Sequence, residues 1–61
     1  MTHSEWAERV AEAELWFLYH IGNYERGKEV GASEEGQERR VAEAARWASI
    51  LTALKGMEPS E

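Results

Sequence analysis

The sequence contains an unbroken row of seven mostly apolar side chains, LWFLYHI, from Leu15 to Ile21. A helix on the surface of a small protein needs apolar side chains only on the stripe that faces the core. Seven consecutive residues cover every side of a helix, because each residue advances by about 100°. The row therefore predicts a helix that is apolar nearly all round, and a single neighbouring helix can cover only one side of it.

Chain length limits how such a helix can be buried. A domain of about 60 residues buries only about 60% of the surface that its unfolded chain exposes, and small proteins supplement a thin core with disulfides, a structural metal or oligomerisation. The 61 residues include no cysteine, and the two histidines, His3 and His20, lack a partner at a metal-binding spacing. We therefore expect no metal and no cofactor, and we expect the chain to oligomerise or to bind a larger partner.

Two segments carry the signals that begin a helix. Thr2 and Ser4 are candidate N-caps, and Thr2 with Glu5 three residues later fits a capping box. Ser33 is a further candidate N-cap, and the two glutamates that follow it lie where the helix dipole favours negative charge. The sequence thus predicts two helices.

Glycines indicate where these helices end, because glycine readily adopts the left-handed conformation common at a helix C-cap. Gly22, Gly27 and Gly31 are the candidate ends of the first helix, and an end near Gly27 is favoured. Gly56, followed by Pro59, is the expected end of the second helix. We predict one domain over residues 1–61, with helices over about 3–27 and 33–56, a turn over about 28–32 and a frayed tail over 57–61.

Apolar residues at helical spacing predict which sides of the two helices face each other. The stripe of the first helix combines large side chains with Ala13, whereas the stripe of the second is built mostly of alanine, so that bulky rings can fill the space that small side chains leave. The predicted core and self-association residues are Trp6, Val10, Phe17, Leu18, Ile21 and Tyr24 in the first helix, and Val41, Ala44, Ala48 and Leu51 in the second.

Two helices of similar length joined by a short turn predict an all-α antiparallel helical hairpin. Such a hairpin leaves several large side chains in water, and full burial of one of them is worth very roughly 1.5 to 3 kcal/mol. We therefore expect a homo-oligomer, with a two-fold dimer that forms a four-helix bundle as the favoured arrangement. In outline this resembles the small plasmid-encoded helical-hairpin dimers. The candidate interface residues are Leu15, Trp16, Tyr19, His20, Trp47 and Leu54.

Two polar residues lie beside the apolar stripe. Glu14 is the candidate buried polar residue: it either sets the helix register from inside the interface, with Arg40 or Arg46 as its partner, or lies at a bundle edge and reaches water. His20 either makes assembly sensitive to pH or is hydrogen-bonded at the rim of an interface. The sequence leaves both pairs of alternatives open.

Charge argues against several classes of partner. The net charge of −5 disfavours a protein that binds nucleic-acid phosphates, although Arg39, Arg40 and Arg46 are candidate contacts for RNA or DNA. The acidic balance also disfavours anionic membranes, and the apolar row is much shorter than the roughly 20 residues that span a bilayer. The N-terminal residues do not form a secretory signal, so we expect a cytoplasmic protein.

Catalytic motifs are lacking as well. The sequence contains no nucleophile elbow, no phosphate-binding loop and no zinc-protease motif. It therefore predicts a non-enzymatic interaction protein that self-associates through its aromatic helix and binds another protein, in the manner of phage- or plasmid-type accessory regulators and inhibitors of host proteins. The alternatives are a structural or scaffold homo-oligomer and a dimer that binds RNA or DNA.

Overall fold

A computed structural model describes residues 1–60 and shows two α-helices, α1 (His3–Val30) and α2 (Glu34–Lys55), that pack against each other. The helices run antiparallel: Trp6 near the start of α1 contacts Leu54 near the end of α2. The Cα atoms fill a rod of 47 × 14 × 10 Å. The all-α helical hairpin predicted from the sequence is confirmed.

The predicted capping box begins α1. The Thr2 hydroxyl accepts a hydrogen bond from the Glu5 N–H at 3.1 Å, and the Glu5 carboxylate accepts one from the Thr2 N–H at 2.9 Å. The Thr2 backbone donor is the main reason why the pKa of Glu5 lies below its ordinary value. The stability that this carboxylate supplies is therefore present above its unfolded-state pKa and is lost as the pH falls through the lowered folded-state pKa.

The first helix ends later than the sequence predicts, at Val30 instead of near Gly27. Gly31 caps it in the left-handed conformation, with φ at 70°, and the Ala32 N–H donates to the Gly27 carbonyl at 2.8 Å, as in a Schellman motif. A glycine inside a helix costs only about 1 kcal/mol relative to alanine, so Gly22 and Gly27 leave α1 unbroken. The predicted turn over 28–32 is correspondingly shortened to residues 31–33.

Gly22 and Gly31 give opposite expectations for alanine substitution. A Cβ at Gly22 would meet nothing within 4 Å, so Gly22→Ala is expected to stabilise the hairpin by about 0.5 to 1 kcal/mol. At Gly31 the positive φ makes a Cβ cost about 1 to 2 kcal/mol, so Gly31→Ala is expected to destabilise it. Urea unfolding followed by circular dichroism measures both changes, and shifts of the same sign would contradict the helix end assigned here.

The second helix begins and ends where the sequence predicts. The Ser33 side chain is its N-cap and accepts a hydrogen bond from the Gly36 N–H at 3.1 Å. The last helical residue is Lys55, and Gly56 follows as the C-cap. Gly56 stays in the right-handed conformation, so here glycine ends a helix without the left-handed turn seen at Gly31.

The predicted frayed tail keeps two contacts with the hairpin. The Met57 N–H donates to the Leu54 carbonyl at 3.0 Å, and the Glu58 carboxylate lies 3.4 Å from the His3 Nε2. Both side chains of the second contact are exposed, so it is a weak surface interaction. Glu61, the last residue of the predicted tail, lies outside the described residues.

Two alanines are the most deeply buried side chains in the described part of the chain. Ala13 is 1% exposed and Ala44 is 4% exposed. Small side chains allow two helices to approach closely, and larger neighbours then fill the remaining space. Seven of the other predicted core residues are only half-buried in the hairpin: Trp6, Val10, Phe17, Ile21, Tyr24, Ala48 and Leu51.

Leu18 and Val41 are corrections to the predicted core. The structure leaves Leu18 62% exposed and Val41 49% exposed, so neither belongs to the interface between α1 and α2. Leu18 follows the half-buried Phe17 and is turned about 100° away from it. As a single neighbouring helix, α2 covers only a narrow arc of α1, and Leu18, about 140° around the helix from the buried Ala13, lies beyond that arc.

Polar side chains join the helices at both ends of the rod. The Trp6 indole N–H donates to the Leu54 carbonyl at 2.5 Å at the open end. Near the turn, the Gln37 side-chain amide donates to the Tyr24 carbonyl at 3.0 Å, and the Arg40 guanidinium donates to the Gln37 oxygen at 2.7 Å. Gln37 therefore ties the two helices together where they are closest in sequence.

Candidate interaction surface

Four large apolar side chains on α1 are exposed within five consecutive positions. Leu15 is 66% exposed, Leu18 62%, Tyr19 55% and Trp16 41%. We call this surface the outer α1 patch: Leu15, Trp16, Leu18 and Tyr19. Scattered single exposed apolar residues are normal on proteins, but contiguous apolar patches mark interaction sites.

Three side chains of the outer α1 patch, Leu15, Leu18 and Tyr19, face away from α2, whereas Trp16 lies at the edge of the patch and contacts α2. At 100° per residue, Leu15 lies about 160° around the helix from the buried Ala13, and Tyr19 lies about 40° from Leu15. The second helix packs on the Ala13 side, so it cannot reach Leu15 or Tyr19. The structure thus leaves the rear of the apolar row uncovered, as the sequence predicts.

Aromatic contacts hold one edge of the patch in place. Trp16 stacks on Trp47 of α2, with ring centroids 6.2 Å apart and an interplanar angle of 21°. Tyr19 meets the Trp16 ring edge-on at 5.6 Å. Such pairs add about 0.5 to 1.5 kcal/mol beyond the burial of area. The Trp16 side chain is therefore ordered before any partner arrives, which lowers the entropic cost of binding.

His20 lies at this same edge, half-buried between the two helices. Its ring is 5.3 Å from that of Tyr19, and its Nε2 is 3.9 Å from the Glu43 carboxylate of α2. Glu43 also lies 4.0 Å from the Arg46 guanidinium. A role of His20 in making assembly sensitive to pH stays a prediction.

Glu14 is exposed in the hairpin, which favours the alternative that it lies at an edge and reaches water. Neither predicted partner reaches it: Arg40 donates to Gln37, and Arg46 lies beside Glu43. The reason is again the narrow arc that α2 covers. Glu14 lies about 100° from the buried Ala13, outside that arc and in water.

The three arginines considered for nucleic-acid binding do not share a surface. Arg39 and Arg46 are exposed, whereas Arg40 is half-buried and bound to Gln37. Because Arg46 also lies close to Glu43, part of its charge is neutralised locally. The structure therefore does not bring these three residues together into one basic face.

The surface depressions of the hairpin are shallow. One of about 310 Å³ lies within the outer α1 patch and is lined by Leu15, Trp16 and Tyr19. Another of about 230 Å³ runs between the helices beside Ala13 and Trp47. Within residues 1–60, no three histidine or acidic side chains come together as a metal site requires. The patch is suited to contact with apolar side chains of another protein surface.

Sequence reasoning missed Gln37 and Ile50, and it assigned Gly27 to a helix end instead of to the contact between the helices. Gly27 is buried, and a Cβ there would collide with the Gln37 side-chain oxygen and the Arg40 guanidinium. Gln37 was overlooked because a polar residue in an otherwise charged segment carries no distinctive pattern. Ile50 lines the depression beside Ala13, and its spacing of three residues from Trp47 and four from Leu54 is the signal that could have identified it.

Neither α1 nor α2 contains an apolar stretch of the length that a membrane-spanning helix requires. No protein-family model matches the chain, and no curated protein or solved structure is significantly similar to it.

Proposed function

We propose that the protein is a small, non-enzymatic, cytoplasmic interaction protein that self-associates through the outer α1 patch and binds a second protein with the surface that remains. The observation that carries this proposal is the exposure of Leu15, Leu18 and Tyr19 on the side of α1 turned away from α2, with Trp16 partly exposed at the edge of this surface. In the proposed dimer the two α1 helices meet at the centre and the two α2 helices lie on the outside, which is a flat four-helix arrangement in place of the bundle expected from the sequence.

The dimensions of the hairpin support self-association. Its accessible surface is 4672 Å², and a standard protein interface buries about 800 Å² on each partner. Covering roughly one sixth of the surface would thus suffice, and the patch supplies four large side chains at its centre. Large central apolar and aromatic side chains carry most of the binding energy in protein interfaces.

An assembly that closes at two chains favours a regulator over a scaffold. The large exposed apolar residues of the described helices cluster on α1, whereas on α2 only Val41 is exposed among large apolar residues. A two-fold dimer uses the same patch on both chains and leaves no second patch for growth. A structural subunit that forms extended particles would need such a second surface.

The second protein is proposed to bind the outer side of α2. This side carries exposed charges of both signs, including Glu35, Arg39 and Arg46, and the dimer would leave it accessible. Charged surfaces of this kind contribute mainly to the specificity and the rate of association. A phage- or plasmid-type accessory regulator that inhibits a host protein would use such a surface.

A dilution series tests the proposed self-association. We expect light scattering to give the mass of two chains at high concentration and of one chain after hundredfold dilution, with far-ultraviolet circular dichroism recorded on the same samples. Helicity should fall as the dimer dissociates, because the hairpin buries few large side chains on its own. The mass of a single chain at every concentration would contradict the proposal, and particles of many chains would favour the scaffold alternative.

A further inference from the structure

We infer that the two α1 helices of the dimer pair antiparallel, about a two-fold axis level with Phe17, and that Glu8 of each copy forms an ion pair with Arg26 of the other. This inference rests on the proposed self-association and adds the orientation and the charge recognition that the patch alone does not give. The occupant of the patch is thus a second copy of the same chain.

The outer α1 patch sets the register. It extends from Leu15 to Tyr19, so its midpoint lies at Phe17. In an isologous contact about that level, Leu15 of one copy lies opposite Tyr19 of the other, and the same contact is repeated by symmetry. Trp16 then lies beside Trp16 of the second copy on one side of the axis, and Leu18 lies beside Leu18 on the other.

Charged residues then fall into complementary positions. Glu8 and Arg26 are separated by 18 residues, which is five full helical turns and about 27 Å along the helix. Both side chains are exposed on the same line as Leu15 and Tyr19. They are equally far from Phe17, nine residues on either side. The register set by the apolar patch therefore places Glu8 directly opposite Arg26 of the second copy. The two-fold axis repeats this contact, so each dimer contains two such pairs.

Within the described chain neither residue is committed elsewhere. The ion pairs found among residues 1–60 join His3 to Glu58, His20 to Glu43, Glu25 to Lys28, and Glu43 to Arg46. Glu8 and Arg26 belong to none of them. Both are thus available for a contact between copies.

A parallel arrangement would place like charges together. Residues 5–14 contain four glutamates and one arginine, whereas residues 22–29 contain two acidic and two basic side chains. Parallel pairing sets the acidic segment of one copy against the acidic segment of the other, with Glu8 facing Glu8. Antiparallel pairing sets each acidic segment against a segment without net charge. Like charges facing each other across an interface are unfavourable.

Charge reversal tests the ion pair. Glu8→Arg and Arg26→Glu are each expected to raise the dimer dissociation constant about tenfold, the size expected when two accessible ion pairs become repulsive. An equimolar mixture of the two variants should regain nearly wild-type affinity, because both contacts are then attractive in the mixed dimer. Glu38→Arg and Arg39→Glu on α2 are the matched controls and should leave the constant unchanged.

Cysteine cross-linking tests the orientation independently, since the chain contains no cysteine. Glu8→Cys mixed with Arg26→Cys under a glutathione redox buffer should give the mixed disulfide, with little disulfide from either variant alone. A disulfide between two Glu8→Cys chains, together with dimers that Glu8→Arg does not weaken, would overturn the antiparallel pairing while leaving self-association intact. A wild-type chain that stays monomeric throughout would overturn both proposals.

Discussion

Glutamate at both Leu15 and Tyr19 is expected to turn the protein into a monomer at every concentration at which the wild type is a dimer. A dimer of the double variant, Leu15→Glu with Tyr19→Glu, would contain four added carboxylates in the proposed interface, two from each chain. A buried carboxylate without a partner costs several kcal/mol. We therefore expect the dimer dissociation constant to rise at least about a thousandfold, equivalent to about 4 kcal/mol. Light scattering or sedimentation measures this change directly.

The matched control for this variant carries the same added charge on α2. Ala42 and Ala53 are both exposed there, so Ala42→Glu with Ala53→Glu should leave the mass unchanged. Both residues altered in the patch variant are exposed in the single hairpin, so the variant loses no contact between α1 and α2 and should have the reduced helicity of the dissociated wild-type chain. A patch variant that dimerises as tightly as the control would show that the chains meet through some other surface.

Leucine at Ala13 or Ala44 is expected to have the largest effect on the hairpin itself. These are the two most deeply buried side chains of the described residues, and each would have to admit three further carbon atoms between the helices. Overpacking of this kind costs about 1 to 3 kcal/mol. A single core in a protein this small supplies only about 3 to 5 kcal/mol, so Ala13→Leu with Ala44→Leu should leave the chain largely unfolded at 25 °C.

Ala45→Leu is the control for this second prediction. Ala45 follows Ala44 directly but is exposed, so the same substitution there should change the free energy of unfolding by less than about 0.5 kcal/mol. Urea unfolding at a fixed protein concentration, followed by circular dichroism, compares the variants. Equal stability of Ala44→Leu and Ala45→Leu would mean that the helices do not approach each other at Ala44 as the structure shows.

Helix beginnings could be predicted from the sequence because their causes are local. The bonds that begin α1 join Thr2 to Glu5, and the bond that begins α2 joins Ser33 to Gly36. The end of α1 could not be predicted in this way. Gly27 resembles a helix end in sequence. Glycine fits at this position because the Gln37 side chain of α2 occupies the space that a Cβ would need.

The exposed side of the apolar row was also predictable, since helical spacing alone turns Leu15 and Tyr19 away from Ala13. Spacing does not reveal how wide an arc the neighbouring helix covers. The structure shows the limit: Ile21, about 80° around the helix from Ala13, is half-buried, whereas Glu14, about 100° from Ala13, is exposed. Spacing therefore placed Leu18 in the core and left the burial of Glu14 open, whereas the structure leaves both exposed.

The single turn at residues 31–33 also determines the order in which the hairpin can close. The bond between Gln37 and Tyr24 joins residues 13 apart, whereas the bond between Trp6 and Leu54 joins residues 48 apart. The entropic cost of closing a loop rises with its length. The contacts between α1 and α2 are therefore expected to form from the turn towards the chain ends and to break in the reverse order. A fusion partner attached at either terminus would therefore act on the contacts that form last and open first.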